Sequence, residues 1–185
     1  EFGVNIKLPT TPDRVLECVI LYGNNIGQRK PGYLEFPFEN YRLKIYNKSA
    51  IPKGNEFQND NLLRVEVAIK RMKHLKGKKM KVAIKTMSDL LDLHVWERLE
   101  QILIETFEEC LIIDVPKTNL DTISNKDLLR YKDYINPIYW GKLRVNKRRY
   151  YNKKKQCNEF LKRIGGNDLK QILIDMIRDK CRELR

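Results

Sequence analysis

Tyr46 is the residue whose type and surroundings could most directly do chemistry. It lies in the stretch YRLKIYNK, residues 41–48. If this stretch is a β-strand, side chains alternate between its faces, so Arg42, Lys44 and Tyr46 share one face. Lys48 continues the row. Because nearby positive charge favours the phenolate, which is the attacking form of a tyrosine, we expect Tyr46 to be an activated nucleophile.

A second stretch, LLRVEVAIKR at 62–71, could supply the partner strand. Its apolar residues lie on one face, and the other face carries Arg64, Glu66, Ala68 and Lys70. Glu66 is a lone carboxylate among cations, which suits a hard divalent ion next to phosphate oxygens. If the two strands pair, one sheet face holds the groups needed to cleave a phosphodiester. The same residue types also allow a tyrosine that only packs beside a solvated row of cations.

The elements around these stretches predict an α+β fold with a small antiparallel sheet in the first half and helices in the second. Pro and Gly positions and hydrophobic periodicity set the boundaries. In the first half we expect strands at 2–7, 33–38, 41–47 and 62–71, a helix at 13–22 and a loop at 24–32. In the second half we expect helices at 96–113, 127–134 and 139–164, a linker at 117–125 and a last helix capped by Asn167. We place one domain at 1–85 and a helical DNA-binding region at 86–185.

The charge of the chain favours a polyanionic partner. The 185 residues include 37 Lys+Arg and 24 Asp+Glu, a net charge of +13. The positive charge is concentrated in two acid-free blocks, residues 70–85 and 142–155. The four cysteines are scattered, and no apolar run approaches the roughly 18 residues of a membrane span, so we expect a cytoplasmic protein. With only two histidines, we expect no zinc site.

The second basic block is predicted to lie on the long helix 139–164 and to contact DNA phosphates. A solvated helix whose tyrosines pack on the core is the alternative, but eight like charges without an acid repel one another. Trp96 and Phe107 are expected in the core, and Trp140 is expected to anchor the basic helix. The predicted DNA contacts, together with Arg42 and Arg64 of the sheet, are Lys142, Arg144, Lys147, Arg148, Arg149, Tyr150, Lys153, Lys154 and Lys155.

Three segments in order resemble the rolling-circle replication initiators of staphylococcal-type plasmids and, more broadly, filamentous-phage gene II replication proteins. They are IYNKS at 45–49, LRVEVAIKR at 63–71 and WGKLRVNKRRY at 140–150. The family carries RIYNKKQE-like, WRVEIELKR-like and WGKL-x-x-N-x-R-x-x-Y segments in these places. The opening EFGVNI is similar to the family's early EF-x-x-N strand.

The resemblance implies a sheet related to the HUH relaxase type and a metal-dependent tyrosine DNA endonuclease and strand transferase. Matched by position, Tyr46 would be the nucleophile, Lys44 and Lys48 its basic neighbours, and Glu66 a ligand of Mg²⁺ or Mn²⁺, with Arg64 beside it. Tyr46 would attack single-stranded or extruded origin DNA and leave a 5′-phosphotyrosine and a free 3′-hydroxyl. The implied partner is single- and double-stranded DNA at a phage or plasmid origin.

The chain departs from the family pattern at its acids. The second acid of the RVEIE-like strand is Ala68, and SAIP at 49–52 replaces the end of the NKKQE-like segment, with Glu56 a remote candidate. A TRLDLAFD-like acidic strand has no counterpart in these residues, so we expect it either to lie upstream of residue 1 or to be absent. A non-catalytic DNA-binding module or decayed paralogue is therefore the alternative function, and an RNA-binding protein a third. A host helicase and a second copy of the chain are candidate partners.

Overall fold

Alternating apolar and polar residues build a five-stranded antiparallel sheet from the first 70 residues. The computed structural model of the chain describes residues 1–50, 60–77, 80–82, 84–165 and 168–184. Period-two alternation places one face of a strand in the core and the other towards solvent. The strands of this sheet are β1 (Phe2–Lys7), β3 (Gln28–Lys30), β4 (Tyr33–Pro37), β5 (Tyr41–Asn47) and β6 (Leu62–Ile69), in the order β1-β6-β5-β4-β3.

Helices dominate the second half, so the predicted α+β class is confirmed. The helices are α1 (Pro12–Cys18), α2 (Leu93–Glu108), α3 (Lys117–Leu120), α4 (Asn125–Tyr134), α5 (Pro137–Leu143), α6 (Lys147–Arg163) and α7 (Asp168–Glu183). Two more strands, β2 (Val19–Tyr22) and β7 (Cys110–Ile112), form a separate antiparallel pair. The predicted cap Asn167 lies outside the described residues.

The strands β2 and β7 correct two helix predictions. The helix predicted at 13–22 ends at Cys18, and the helix predicted at 96–113 ends at Glu108. All the residues of both strands are buried. The sequence pattern of a short apolar run is compatible with a buried strand and with a buried helix. Here the two runs are strands because β2 and β7 pair with each other.

A break at residues 144–146 corrects the prediction of one long helix at 139–164. The chain instead forms α5 and α6, and Asn146 caps α6 by accepting a hydrogen bond from the backbone N–H of Arg149 at 2.9 Å. An asparagine at this position satisfies an otherwise unpaired N–H, which favours a new helix start. The predicted loop 24–32 and linker 117–125 likewise contain the short elements β3 and α3.

Two main cores hold the elements together. The first packs the apolar sheet face against α1, α2 and α7, and it contains residues on both sides of position 85. The second packs α4, α5 and α6 against β2 and β7, with Trp140 completely buried. The apolar face of the sheet is therefore covered, and its polar face, which carries Tyr46, is left for a functional site.

Candidate active site

The polar face of β5 and β6 brings the predicted chemical residues together. The two strands pair antiparallel, with Lys44 opposite Glu66, Tyr46 opposite Arg64, and Arg42 opposite Ala68. Side chains directly opposite one another across antiparallel strands are in contact distance. The prediction that these strands pair and present one face is confirmed.

Glu66 is the centre of this group. Its carboxylate accepts hydrogen bonds from Lys44 Nζ at 2.7 Å, Arg64 Nε at 2.6 Å and the Tyr46 hydroxyl at 3.2 Å. Only 3% of Glu66 is exposed. Burial raises the pKa of Glu66, but the hydrogen bonds from Lys44 and Arg64 lower it by more, so the net pKa lies below its ordinary value. Glu66 is consequently an anion at neutral pH.

The pKa of Tyr46 corrects a prediction. We expected the neighbouring cations to favour the phenolate, yet the pKa is raised above 10. Burial is the largest cause and the negative charge of Glu66 the next, and together they outweigh Arg64 and Lys44, which lower the pKa. Tyr46 is therefore a neutral phenol that donates its proton towards Glu66.

Strand β1 pairs with β6 on the side away from β5, and residues in and just before β1 contact Glu66, Arg64 and Lys44. Gly3 lies opposite Glu66, and a side chain there would come within 2.4 Å of the Glu66 Cβ, so only glycine fits. Asn5 accepts a hydrogen bond from Arg64 Nη1 at 3.1 Å, and Glu1 pairs with Lys44 at 2.8 Å. Sequence reasoning missed the role of Gly3, although a glycine inside a strand indicates a close approach.

An open cleft of about 370 Å³ gives access to Tyr46. It is bordered by Tyr33, whose ring centre lies 5.7 Å from that of Tyr46. Gly32 adopts a φ of +67° in the turn between β3 and β4, a conformation that glycine accepts without strain. The cleft is lined by Pro31, Gly32, Tyr33, Lys44, Tyr46, Asn47 and Ala50. Tyr33 was not predicted as part of the site, because its place opposite Tyr46 depends on the register in which β4 and β5 pair.

Lys48 does not continue the row of cations on the strand. Strand β5 ends at Asn47, and Lys48 begins a short 3-10 turn, Lys48–Ala50. Asn47 causes this turn, since its side-chain carbonyl accepts hydrogen bonds from the backbone N–H groups of Ser49 and Ala50 at 3.1 and 3.2 Å. Asn47 also donates to Asp13 at 2.9 Å.

The described residues do not fit a resident divalent cation. Both oxygens of Glu66 already accept hydrogen bonds from cationic side chains or from Tyr46. Within the described ranges, no group of three or more His, Cys, Asp or Glu residues could hold a metal ion. Ala68 supplies no second carboxylate, and Glu56 lies outside the described residues. A role for Mg²⁺ or Mn²⁺ stays a prediction.

Arg42 lies at the opposite end of the strand row from Tyr46. Its guanidinium is 3.4 Å from Glu35, which also accepts a hydrogen bond from the Tyr33 hydroxyl at 2.6 Å. Its Nε atom is buried and has no hydrogen-bond partner in the part of the chain that the structure describes. Arg42 and Arg64 keep 39% and 26% of their side chains exposed, so each could meet a ligand on this face.

Helix α6 carries most of the predicted DNA-binding residues, and two of them point inwards. Tyr150 is 3% exposed and its hydroxyl donates to the carbonyl of Gly23, so its ring cannot stack on a base. Lys154 is half-buried, and burial lowers the pKa of its ammonium group. Tyr151, by contrast, is 62% exposed. The exposed cations among the predicted DNA contacts are Lys142, Arg144, Lys147, Arg148, Arg149 and Lys155, and Lys153 is half-buried.

The large aromatic residues of the helices differ in how far they are buried. Phe107 is completely buried, as predicted, and Trp140, which was expected to anchor the basic helix, is completely buried against Tyr150 of α6. Trp96 is 45% exposed, and its indole N–H donates to the carbonyl of Leu90 at 2.5 Å. Trp96 lies in the first turn of α2, ahead of Leu99, which is the first buried residue of this helix.

Stability should depend on the ionisation of Glu66. A carboxylate whose pKa is lower in the folded chain stabilises the fold above its unfolded pKa of about 4.3, and that stabilisation disappears as pH falls through the folded value. Urea unfolding of the wild type and of Glu66→Gln at pH values from about 6 to 3 should therefore show a difference that shrinks towards acid. A difference independent of pH would contradict the assignment.

Comparisons with family models, with curated proteins and with solved structures gave no match to this chain. Among the described residues, no helix is long and apolar enough to cross a membrane.

Proposed function

We propose that this protein nicks and rejoins a DNA strand through Tyr46, in the manner of a rolling-circle replication initiator. The observation that carries the proposal is the hydrogen bond from the Tyr46 hydroxyl to Glu66, beside Lys44 and Arg64 at an open cleft. It joins a nucleophile, a proton acceptor and two cations on one sheet face. The sequence resemblance at 45–49 and 63–71 supports the same assignment.

The chemistry follows from these positions. The phenol oxygen of Tyr46 attacks the phosphorus of a phosphodiester, and its proton passes to Glu66, which is ionised at neutral pH. The bond between phosphorus and the 3′ oxygen breaks, and that oxygen takes a proton from solvent. Lys44 and Arg64 oppose the charge that develops on the non-bridging phosphate oxygens. The products are a 5′-phosphotyrosine and a free 3′-hydroxyl, and attack by a 3′-hydroxyl on the phosphotyrosine reverses the step.

A pool of single-stranded oligonucleotides with a randomised centre tests this proposal without knowledge of the origin sequence. The full chain is incubated with the pool in Mg²⁺ or Mn²⁺, and the products are separated under denaturing conditions. The 3′-labelled fragment should migrate with the protein, whereas the 5′-labelled fragment should be released with a 3′-hydroxyl that a polymerase can extend. Binding of the pool without any covalent adduct would refute the nicking function.

A non-catalytic DNA-binding module is the second candidate. Two observations favour it, namely the occupied carboxylate of Glu66 and the alanine at position 68. A module of this kind would bind duplex DNA and form no adduct in the assay above. The two candidates therefore predict opposite results in one experiment.

Affinity for duplex DNA should fall steeply with salt in either case. Each phosphate neutralised on duplex DNA contributes about 0.9 to the slope of log affinity against log salt. Replacing both Lys147 and Lys155 by alanine should reduce this slope by about 2. Arg182→Ala is the matched control, since Arg182 is an exposed cation of α7 and is not among the predicted DNA contacts. A slope that is unchanged in the double variant would exclude α6 from the DNA contact.

A further inference from the structure

The second core contains two helices joined by a very short connection. Helix α5 ends at Leu143, residues 144–146 form the connection, and α6 begins at Lys147. Trp140 of α5 and Tyr150 of α6 pack edge to face, with ring centres 5.9 Å apart. Two packed helices separated by three residues are the arrangement of a helix–turn–helix unit, whose second helix enters the major groove of DNA.

The arginines of this unit differ from the other arginines of the chain. Each of the other described arginines bonds to a carboxylate or a backbone carbonyl, as in the pairs of Arg64 with Glu66 and Arg163 with Asp127. Within the described ranges, Arg144, Arg148 and Arg149 have no such partner and are all exposed. Guanidinium groups left without an internal partner are available to phosphates and to guanine, which arginine contacts through two parallel hydrogen bonds.

The exposed side of α6 adds side chains that can distinguish bases. Arg148, Asn152 and Lys155 follow one another at intervals of four and three residues, so they lie along one line of the helix. Asn152 makes no hydrogen bond with its side chain inside the described part of the chain, and asparagine pairs with adenine through two hydrogen bonds. An open groove of about 330 Å³ follows the same side of the helix and is lined by Asn146, Arg148, Arg149, Asn152, Lys153 and Gln156.

The shape and composition of this side favour a duplex over a single strand. An α-helix with its side chains is about 10–12 Å wide, which matches the major groove of B-form DNA. Single-strand binders instead present several aromatic rings on which bases stack. Tyr150 is buried and packs in the core, and Tyr151 is the one well-exposed aromatic residue of α6. A deep, narrow RNA major groove does not admit a helix of this width.

We propose that α5 and α6 form a helix–turn–helix unit whose second helix reads duplex DNA sequence in the major groove, with Arg148, Arg149 and Asn152 contacting base edges. This inference rests on the proposed function only in taking DNA as the partner. It assigns recognition of the duplex to α6 and leaves strand cleavage to the sheet. Lys155 and Lys147 contribute phosphate contacts that do not depend on sequence.

The test uses the full chain with Tyr46→Phe, so that duplex binding is measured without strand cleavage. A pool of B-form duplexes with about ten randomised base pairs is selected by binding, and the enriched duplex is compared with a scrambled one by fluorescence anisotropy at fixed salt. We expect a defined sequence to be enriched. Asn152→Ala and Arg149→Ala should each weaken binding to it about tenfold or more while weakening binding to the scrambled duplex much less.

Lys155→Ala is the matched control on the same helix, and it should weaken binding to both duplexes by a similar, smaller factor. Circular dichroism of each variant confirms that the helices are intact, which we expect because these side chains are exposed. Equal losses on both duplexes with Asn152→Ala and Arg149→Ala, no enriched sequence, or a greater loss of single-strand or RNA binding than of duplex binding in these variants would overturn the inference. The duplex-binding test and the adduct assay with single strands are separate measurements. Failure of the proposal for α6 therefore leaves the proposal for Tyr46 untouched, and the reverse also holds.

Discussion

Tyr46→Phe is expected to abolish the covalent protein–DNA adduct while leaving the fold unchanged. The substitution removes only the hydroxyl, which carries the nucleophilic oxygen and donates to Glu66 at 3.2 Å. Loss of the attacking atom leaves no route to a phosphotyrosine. The measurement is the yield of labelled adduct from the randomised single-stranded pool, and the expected result is no signal above background.

Tyr33→Phe is the matched control for this experiment. Tyr33 lies opposite Tyr46 in the register of β4 and β5 and borders the same cleft, but its hydroxyl donates to Glu35 at 2.6 Å. It should retain adduct formation. If Tyr33→Phe loses the adduct and Tyr46→Phe keeps it, the nucleophile has been assigned to the wrong tyrosine. If both variants keep it, neither residue is the nucleophile.

Glu66→Ala is expected to destabilise the protein by about 3 kcal/mol. Removing one partner of a buried ion pair leaves the other charges unpaired, which typically costs about 3–5 kcal/mol. Here the lower figure applies, because Lys44 keeps its contact with Glu1 and Arg64 keeps its contact with Asn5. Chemical denaturation of the wild type and the variant at neutral pH measures the difference.

The exposed carboxylate of Glu39 provides the comparison for Glu66. Glu39 pairs with Arg71 at 3.2 Å, but its side chain is 76% exposed. An exposed pair contributes about 0–1 kcal/mol, so Glu39→Ala should change the unfolding free energy by less than about 1 kcal/mol. If Glu66→Ala and Glu39→Ala changed the free energy of unfolding equally, the ion pairs of Glu66 would contribute no more than an exposed pair, contrary to this prediction.

Local patterns in the sequence were enough to predict the sheet face that carries the candidate site. Alternation places Lys44 and Tyr46 together on the polar face of β5, and it places Glu66 on the polar face of β6. Their pairing register depends on contacts made across the fold, and the Tyr46–Glu66 hydrogen bond follows from that register. The raised pKa of Tyr46 follows first from burial of its side chain and then from the negative charge of Glu66, and the cations beside Tyr46 in the sequence indicate neither its burial nor the distance to Glu66.

The elements that were predicted wrongly share a physical cause. Strands β2 and β7 are short apolar runs that pair across about 90 residues of chain, and nothing local distinguishes them from helix. The inward orientation of Tyr150 did have a signal, since Tyr150, Cys157 and Leu161 recur at the spacing of one buried helix face. The high density of positive charge in this segment led us to favour a DNA contact for Tyr150 over the alternative in which the tyrosines pack on the core.

The most direct measurement of the central claim is the chemical identity of the residue joined to DNA. The adduct is formed with the wild-type chain, digested with trypsin and nuclease, and analysed by mass spectrometry. Cleavage after Lys44 and Lys48 isolates residues 45–48, in which Tyr46 is the one tyrosine. The account predicts a nucleotide linked through its 5′-phosphate to Tyr46 in this peptide. A nucleotide on any other residue, or no linked peptide at all, would contradict it.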